Sequence, residues 1–530
     1  MLEKSPALRS IAVVSLVSAA GLLSACNDND SPSAFEPTPS PSPSPSPSPT
    51  PAPSGAVSTG FDVTTDKAND LRGLTFAASG KIYAAGHSDA DPADRKIVVA
   101  RFNADGSPDT AFAGDGFAEI NVVVGGNEQA LSIAELADGN VVVAVNAADQ
   151  NGGAPIIAED NAAVTAPRPD GTSVYLIRLA ADGTQVESFG DGGRAEVVFG
   201  WADADNGDWP LPIYNAASSG FSHAGFPTDT AWDLHVDASG DEEKLVILGM
   251  GSAAQLTGEG TQRVDNDRFV ARVLASTGAA DPDFNGGKAF TWATDGTLND
   301  NARRGIVESD GSIVSAGYTN LGSGLGNHVI VLKVSPQGVL DTSFTGFGLD
   351  PVQNGVAVFN PFVADGGFAE AYGVSKQSNG FYVTTGYGAA TASGTPSTLG
   401  YLTTVQQDLV PFRIGDGALD TEWGNDGTQA IQSESLGRES AEERGRDLTV
   451  LSDDRVIQVG YFAGTPAIYV LTEDGQLDSS VDGDGILEFP SATITQQFFA
   501  VAQSADGKRV AASTSSNANG ARLVVLDIDL

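Results

Sequence analysis

Apolar residues along the chain come in short β-branched runs, such as Val141 to Val145 and Ile330 to Val334. Between the runs lie Asp-Gly and Asn-Gly pairs, whose positive-φ positions suit tight hairpins. One strand–turn–strand pattern occurs seven times, as GLTFAASGKIYAAG, LSIAELADGNVVVAV, DLHVDASGDEEKLVILG, GIVESDGSIVSAG, GVSKQSNGFYVTTG, DLTVLSDDRVIQVG and AVAQSADGKRVAAS. A second pattern follows it six times, beginning with FNADGSPDTAFAGDGFAEI from Phe102 and ending with LTEDGQLDSSVDGDGILEF from Leu471. Its aromatic anchors Phe112, Phe189, Phe284, Phe344 and Trp423 are 77, 95, 60 and 79 residues apart, so a unit near 60 residues carries insertions.

Each unit therefore predicts four short strands. A sheet of that size cannot bury both its faces alone, so neighbouring units must stack on it, and radial stacking gives an all-β propeller. The blade pattern resembles the delta-60 repeat β-propellers across roughly residues 56 to 530. Departures gather at the end: Val481 replaces the aromatic in the sixth copy, and the seventh stops at Leu530 after its third strand. TGFDVTTD from Thr59 looks like the strand that follows the anchor elsewhere. This predicts seven four-stranded antiparallel blades, with an N-terminal strand completing the C-terminal one so that no edge stays open. Six or eight blades are the alternatives.

Residues 1–25 read as a signal peptide. Lys4 and Arg9 precede an apolar stretch, Ile11 to Leu23, that is too short for a transmembrane helix. Leu23-Ser24-Ala25-Cys26 resembles the lipobox of bacterial lipoproteins, which implies cleavage before Cys26 and lipidation of its thiol. By the same resemblance Asn27 favours the outer membrane, with the body at its periplasmic face or on the cell surface. Within residues 26–55 the run PTPSPSPSPSPSPTPAPS cannot pack and favours extended polyproline II, a spacer on the order of 50 Å long.

Composition narrows the class. The 68 acidic and 28 basic side chains give a formal charge of −40, which disfavours nucleic acid as a partner and leaves the lipid anchor as the only membrane contact. Without residues 1–25 the balance is 67 acids to 26 bases, so the acidity belongs to the body. A single cysteine excludes an internal disulfide and thiolate zinc sites. No cofactor is expected, although Asp115-Gly116, Asp203-Ala204-Asp205 and Asp482-Gly483-Asp484 offer oxygen ligands that would suit calcium. Turn formation explains the same aspartates, and Asp109, Asp341, Asp420 and Asp478 fit a role bonding backbone amides within their blades.

Alternating strand direction puts the first-to-second and third-to-fourth turns on one face and the remaining connections on the other. The long insertions all fall on the second face: Asn146 to Thr172, Gly200 to Asp229, Ser252 to Asp267, Pro351 to Gly367, Gly388 to Asp408 and Gln432 to Glu443. Binding is expected there. In the richest insertion Trp201, Trp209 and Tyr214 stand beside Asp203 and Asp205, a combination that suits sugar stacking or a protein hot spot, or a satellite core pinning the loop. Aligning the inner strands on their turns lines up Arg72, Leu131, Trp232, Arg303, Tyr372, Arg446 and Phe499 near the channel mouth. Its arginines could clamp an anion or simply pair with acids between blades.

The four histidines, His87, His223, His235 and His328, show no metal-like spacing, and GFSHAG around Ser222 departs from a nucleophile elbow. The expectation is a non-enzymatic cell-envelope scaffold binding a protein or glycan through its loop-rich face. A surface hydrolase or lyase acting on polysaccharide or lipid would require convergent carboxylates in the central pocket. A structural spacer would lack any concave site.

Overall fold

A computed structural model describes residues 61–62, 70–149, 172–197, 229–252, 266–390, 407–489, 497–514 and 521–527, apart from 92–93, 125, 295–297, 323–325, 363–366, 416, 434–435 and 440. These form seven four-stranded sheets. In blade 1 the strands run inner to outer as Asp70–Phe76, Ile82–Ser88, Lys96–Phe102 and Phe117–Ile120, each antiparallel to the next. Each inner strand touches those of the two neighbouring blades, and the last touches the first, so the ring closes. Closure uses the expected device: Phe61 and Asp62 pair with Leu523 and Arg522 as the outer strand of blade 7.

The second strand of each blade is sandwiched between two other blades, so it is buried on both sides; Ile82–Ser88 and Tyr382–Ala389 have no exposed position. That burial requires continuous apolar runs rather than alternation. The core is accordingly divided into seven layers, each shared by two adjacent blades. The layer that closes the ring joins Leu71, Ile82 and Val98 of blade 1 to Ala511, Leu523 and Val525 of blade 7.

The aromatic anchors explain the longer repeat. Phe112, Phe189, Phe284 and Trp423 are buried, and each lies beneath the turn glycine of the next blade, respectively Gly183, Gly278, Gly338 and Gly475. Those glycines have φ from 75° to 90°, and a Cβ on any of the last three would run into the ring at 3.0 Å or less. The backbone beside each anchor also bonds the next blade: Ala113 N–H to Asp182 O, Gly190 to Thr277, Asn285 to Gln337 and Gly424 to Asp474, at 2.7 to 2.9 Å.

Two expectations need correction. Residues 351–367 are not an insertion, because they contain Val356–Phe359, the outer strand of blade 4. Blade 5 departs from the regular pattern: its third strand is split into Asp408–Leu409 and Arg413–Ile414, with Pro411, which has no N–H to donate, in the gap. No helix among the described residues is long and apolar enough to cross a membrane.

Every inner strand carries one extra residue as a β-bulge: Arg72, Leu131, Trp232, Arg303, Tyr372, Arg446 and Phe499. The bulge drives the carbonyl two residues earlier into the second strand. In five blades a glycine lies there, Gly86, Gly249, Gly317, Gly386 or Gly460, and a Cβ on any of them would come closer than 3.0 Å to that oxygen. Gly317→Ala is therefore expected to cost more than about 3 kcal/mol in urea unfolding, while Gly240→Ala, which meets nothing within 4 Å, should shift stability by less than about 0.5 kcal/mol.

Candidate binding site

The seven bulged positions meet at the end of the channel that faces the long connections. Arg72, Leu131, Trp232, Arg303, Tyr372, Arg446 and Phe499, with Arg304 and Gln497, line a cavity of about 290 Å³. Around the ring, aromatic and cationic side chains alternate. Arg303 lies 3.9 Å from the Trp232 ring centre and 4.8 Å from that of Tyr372. Arg446 lies 4.6 Å from Tyr372 and 5.9 Å from Phe499, and Arg72 lies 4.5 Å from Phe499. Leu131 interrupts the alternation between Arg72 and Trp232. Stacking occupies the flat faces of the guanidinium groups and leaves their in-plane N–H donors for other partners.

Those donors are unequally committed. Arg72 Nε is 2.5 Å from Asp70, and Arg446 Nε donates to Gln497 Oε1 at 2.6 Å. Arg303 has no carboxylate within 4.0 Å among the described residues, and its Nε is buried without a hydrogen-bond partner, as is Trp232 Nε1. A cation without a carboxylate partner among the described residues, in a chain of charge −40, is the most distinctive electrostatic feature of the mouth. All seven positions aligned from the sequence, among them the candidate binding residues Arg72, Trp232, Arg303, Tyr372 and Arg446, are thus brought together.

Arg304, the next residue in blade 4, crosses the channel and forms the floor. Its Nη2 donates to the carbonyls of Arg72 and Phe499, both at 3.1 Å, while Nη1 stands 3.7 Å from Asp233 and 3.5 Å from Asp447. Below it lies a second cavity of about 420 Å³, reaching toward the tight turns and lined by Ser132, Asp233, His235, Ser375, Asp447 and Thr449 among others. The sequence reading passed over this group. Its signal was the position after each bulge, which reads Gly73, Ser132, Asp233, Arg304, Gly373, Asp447 and Ala500.

The two carboxyls differ in how tightly they hold a proton. Burial acts to raise both. In Asp233 it is outweighed by His235, 2.7 Å away, by Arg304 and by the Gly305 N–H, so the carboxyl falls to about 2. The His235 imidazole is raised in turn, because Asp233 outweighs the effect of its own burial. For Asp447 burial wins over Arg304 and the Val501 N–H, and the carboxyl rises to about 6. The scaffold also claims their oxygens. Asp233 accepts from Leu234 N, Gly305 N and Ser132 Oγ, and Asp447 accepts from Leu448 N and Val501 N.

The repeated aspartates hold blades together, as expected. Asp109, Asp341, Asp420 and Asp478 each accept a backbone N–H two residues on, at 3.0 to 3.2 Å. Asp109 and Asp420 also clamp Arg101 and Arg413, which stack on the anchors Phe112 and Trp423. Asp115 and Asp484 cap their own turns, and Asp484 pairs with Arg438. Among the described residues no three His, Cys, Asp or Glu side chains are grouped as a metal site. Cys26, Trp201, Asp203, Asp205, Trp209, Tyr214, Ser222 and His223 lie outside the described residues.

Comparison with known proteins agrees on architecture. A family described as "Domain of unknown function (DUF5122) beta-propeller" matches residues 77–112 and 308–344, two copies of the repeat. No curated protein matches the chain. Among solved structures, a virginiamycin B lyase from Staphylococcus aureus is similar at 11% identity and a TM-score of 0.41, covering 88% of this chain and 98% of its own. A Penicillium chrysogenum α-L-arabinanase is 10% identical with a TM-score of 0.37, covering 89% and 98%. A periplasmic gluconolactonase from Pseudomonas aeruginosa is 13% identical with a TM-score of 0.38, covering 78% and 86%. Likenesses this distant carry no argument about activity.

The raised Asp447 sets a pH dependence. With a folded value near 6 and an unfolded value near that of free aspartate, its proton is held longer in the folded chain, so its contribution to stability is present at acid pH and is lost as pH rises from about 4 to about 6. Asp447→Asn removes that contribution. Urea unfolding of the two proteins should show the wild type losing about 3 kcal/mol relative to the variant across this window.

Proposed function

We propose that the chain is a non-enzymatic binding scaffold of the bacterial cell envelope, held by lipid on Cys26, whose channel mouth takes the anionic group of a surface glycan. The observation that carries this reading is the ring of arginines and aromatics on the seven bulges, with no carboxylate paired to Arg303 among the described residues. Aromatic faces suit the C–H side of a sugar ring, and guanidinium N–H pairs suit a carboxylate. The Pro/Ser tether would let the mouth sample chains away from the lipid surface. A second reading, a surface hydrolase or lyase, draws on Asp233 and Asp447 flanking Arg304 with carboxyl values near 2 and 6. Their oxygens already bond backbone amides, which favours a holding role over a catalytic one.

The test uses oligoalginate, a uronic-acid chain, against neutral dextran of similar length, with the lipid-free residues 56–530. Oligoalginate should bind saturably, weaken with salt and remain uncleaved. Arg303→Gln should lower its affinity roughly tenfold or more, the usual worth of a charge-assisted hydrogen bond. Equal binding of dextran, or indifference to Arg303→Gln, would remove the basis of the proposal. Cleavage abolished by Asp447→Asn would support the enzymatic reading instead.

A further inference from the structure

The cavity beneath Arg304 has chemistry opposite to that of the mouth. Its central charges are matched internally, Asp233 facing His235 and Arg304 and Asp447 facing Arg304, while Glu135 accepts the Ala78 N–H. Three hydroxyls in its wall, on Thr75, Ser375 and Thr449, are half-buried, and none makes a side-chain hydrogen bond among the described residues. His235 is bound to Asp233 through Nε2, and Nδ1 has no partner among the described residues. These groups come from four different inner strands: Thr75 from blade 1, His235 from blade 3, Ser375 from blade 5 and Thr449 from blade 6. They therefore surround the space and do not lie along one wall of it. Between them, Leu74, Val236, Ile306 and Val374 contribute apolar wall.

A hydroxyl both donates and accepts, and an imidazole nitrogen can do either. A wall offering several such groups, with the charges around Arg304 already paired to one another, complements a ligand that is itself neutral and both donates and accepts at many points. A carboxylate or phosphate would have to displace Asp233 or Asp447 from Arg304, and a cation would meet His235 and Arg304. We infer that the cavity on the turn side of Arg304 is a second binding site, separate from the mouth, for a neutral polyhydroxylated ligand of about one pyranose ring. Its volume of about 420 Å³ lies within the range of small-ligand pockets. Arg304 is the partition between the two sites: one guanidinium closes the mouth from below and the cavity from above, tied to blades 1, 3, 6 and 7.

The experiment is saturation-transfer NMR and calorimetry on the lipid-free protein with D-glucose, D-galactose, D-mannose and sorbitol as probes. At least one should bind saturably in the millimolar range. The double variant Ser375→Ala/Thr449→Val, which keeps volume and removes only hydroxyls with no partner in the fold, should weaken it tenfold or more while leaving the thermal melt and oligoalginate binding unchanged. Arg303→Gln should leave binding of the neutral probe intact, which keeps this result distinguishable from failure of the mouth site. Thr75→Val, at the opposite wall, should reproduce the loss if the double variant misfolds. The inference is overturned if no neutral probe binds, if binding survives loss of the hydroxyls in a folded protein, or if Arg303→Gln abolishes it.

Discussion

Seven strands converging on one axis leave little room for seven side chains at each level, and the β-bulge in every inner strand is how this chain meets that constraint. The extra residue at each bulge turns into the mouth, and in four blades the residue after it, Ser132, Asp233, Arg304 or Asp447, lines the space below. Two tiers of functional groups, the arginine–aromatic ring and the group around Arg304, thus follow from one backbone irregularity repeated seven times. Glycine opposite the bulge in five blades is the steric requirement that accompanies it. Where blade 2 has Val145 and blade 7 has Thr514 at the matching position, the same register shift occurs without the glycine.

The outer architecture serves to hold that centre still. Anchor rings pinned beneath the turn glycines of the next blade, together with the hydrogen bonds beside them, link successive blades at the rim. The two-residue strand Phe61–Asp62 then completes the circle. Rigidity of this kind lets an arginine be held between two aromatic rings, as Arg303 is, without a carboxylate among the described residues to fix it. In an acidic protein such a cation is costly to a random surface but useful in a site.

Much of this was legible before any coordinates. The turn chemistry of Asp-Gly and Asn-Gly pairs gave the strand count, and the unfinished seventh copy indicated both the number of blades and the strand that closes them. The mouth residues could be aligned because six lie eight residues before a turn glycine and Arg446 lies eight before Asp454, which takes a positive φ. The group at Arg304 escaped notice because its members are ordinary residues of different blades, and only the ring closure brings Asp233 and Asp447 to the same guanidinium. Residues 351–367 misled because an outer strand of four residues, Val356–Phe359, has too little periodicity to stand out beside a turn-rich stretch.

The central claim is that the mouth is locally positive although the chain carries a charge of −40. Trp232 lies against Arg303 and reports on it directly. Its emission can be isolated as the difference between the wild type and Trp232→Phe, then quenched with iodide and with caesium at equal ionic strength. The account predicts that iodide quenches this component more strongly than caesium, against the sign of the net charge. Stronger quenching by caesium would mean that no positive site exists at the mouth, and would contradict the account.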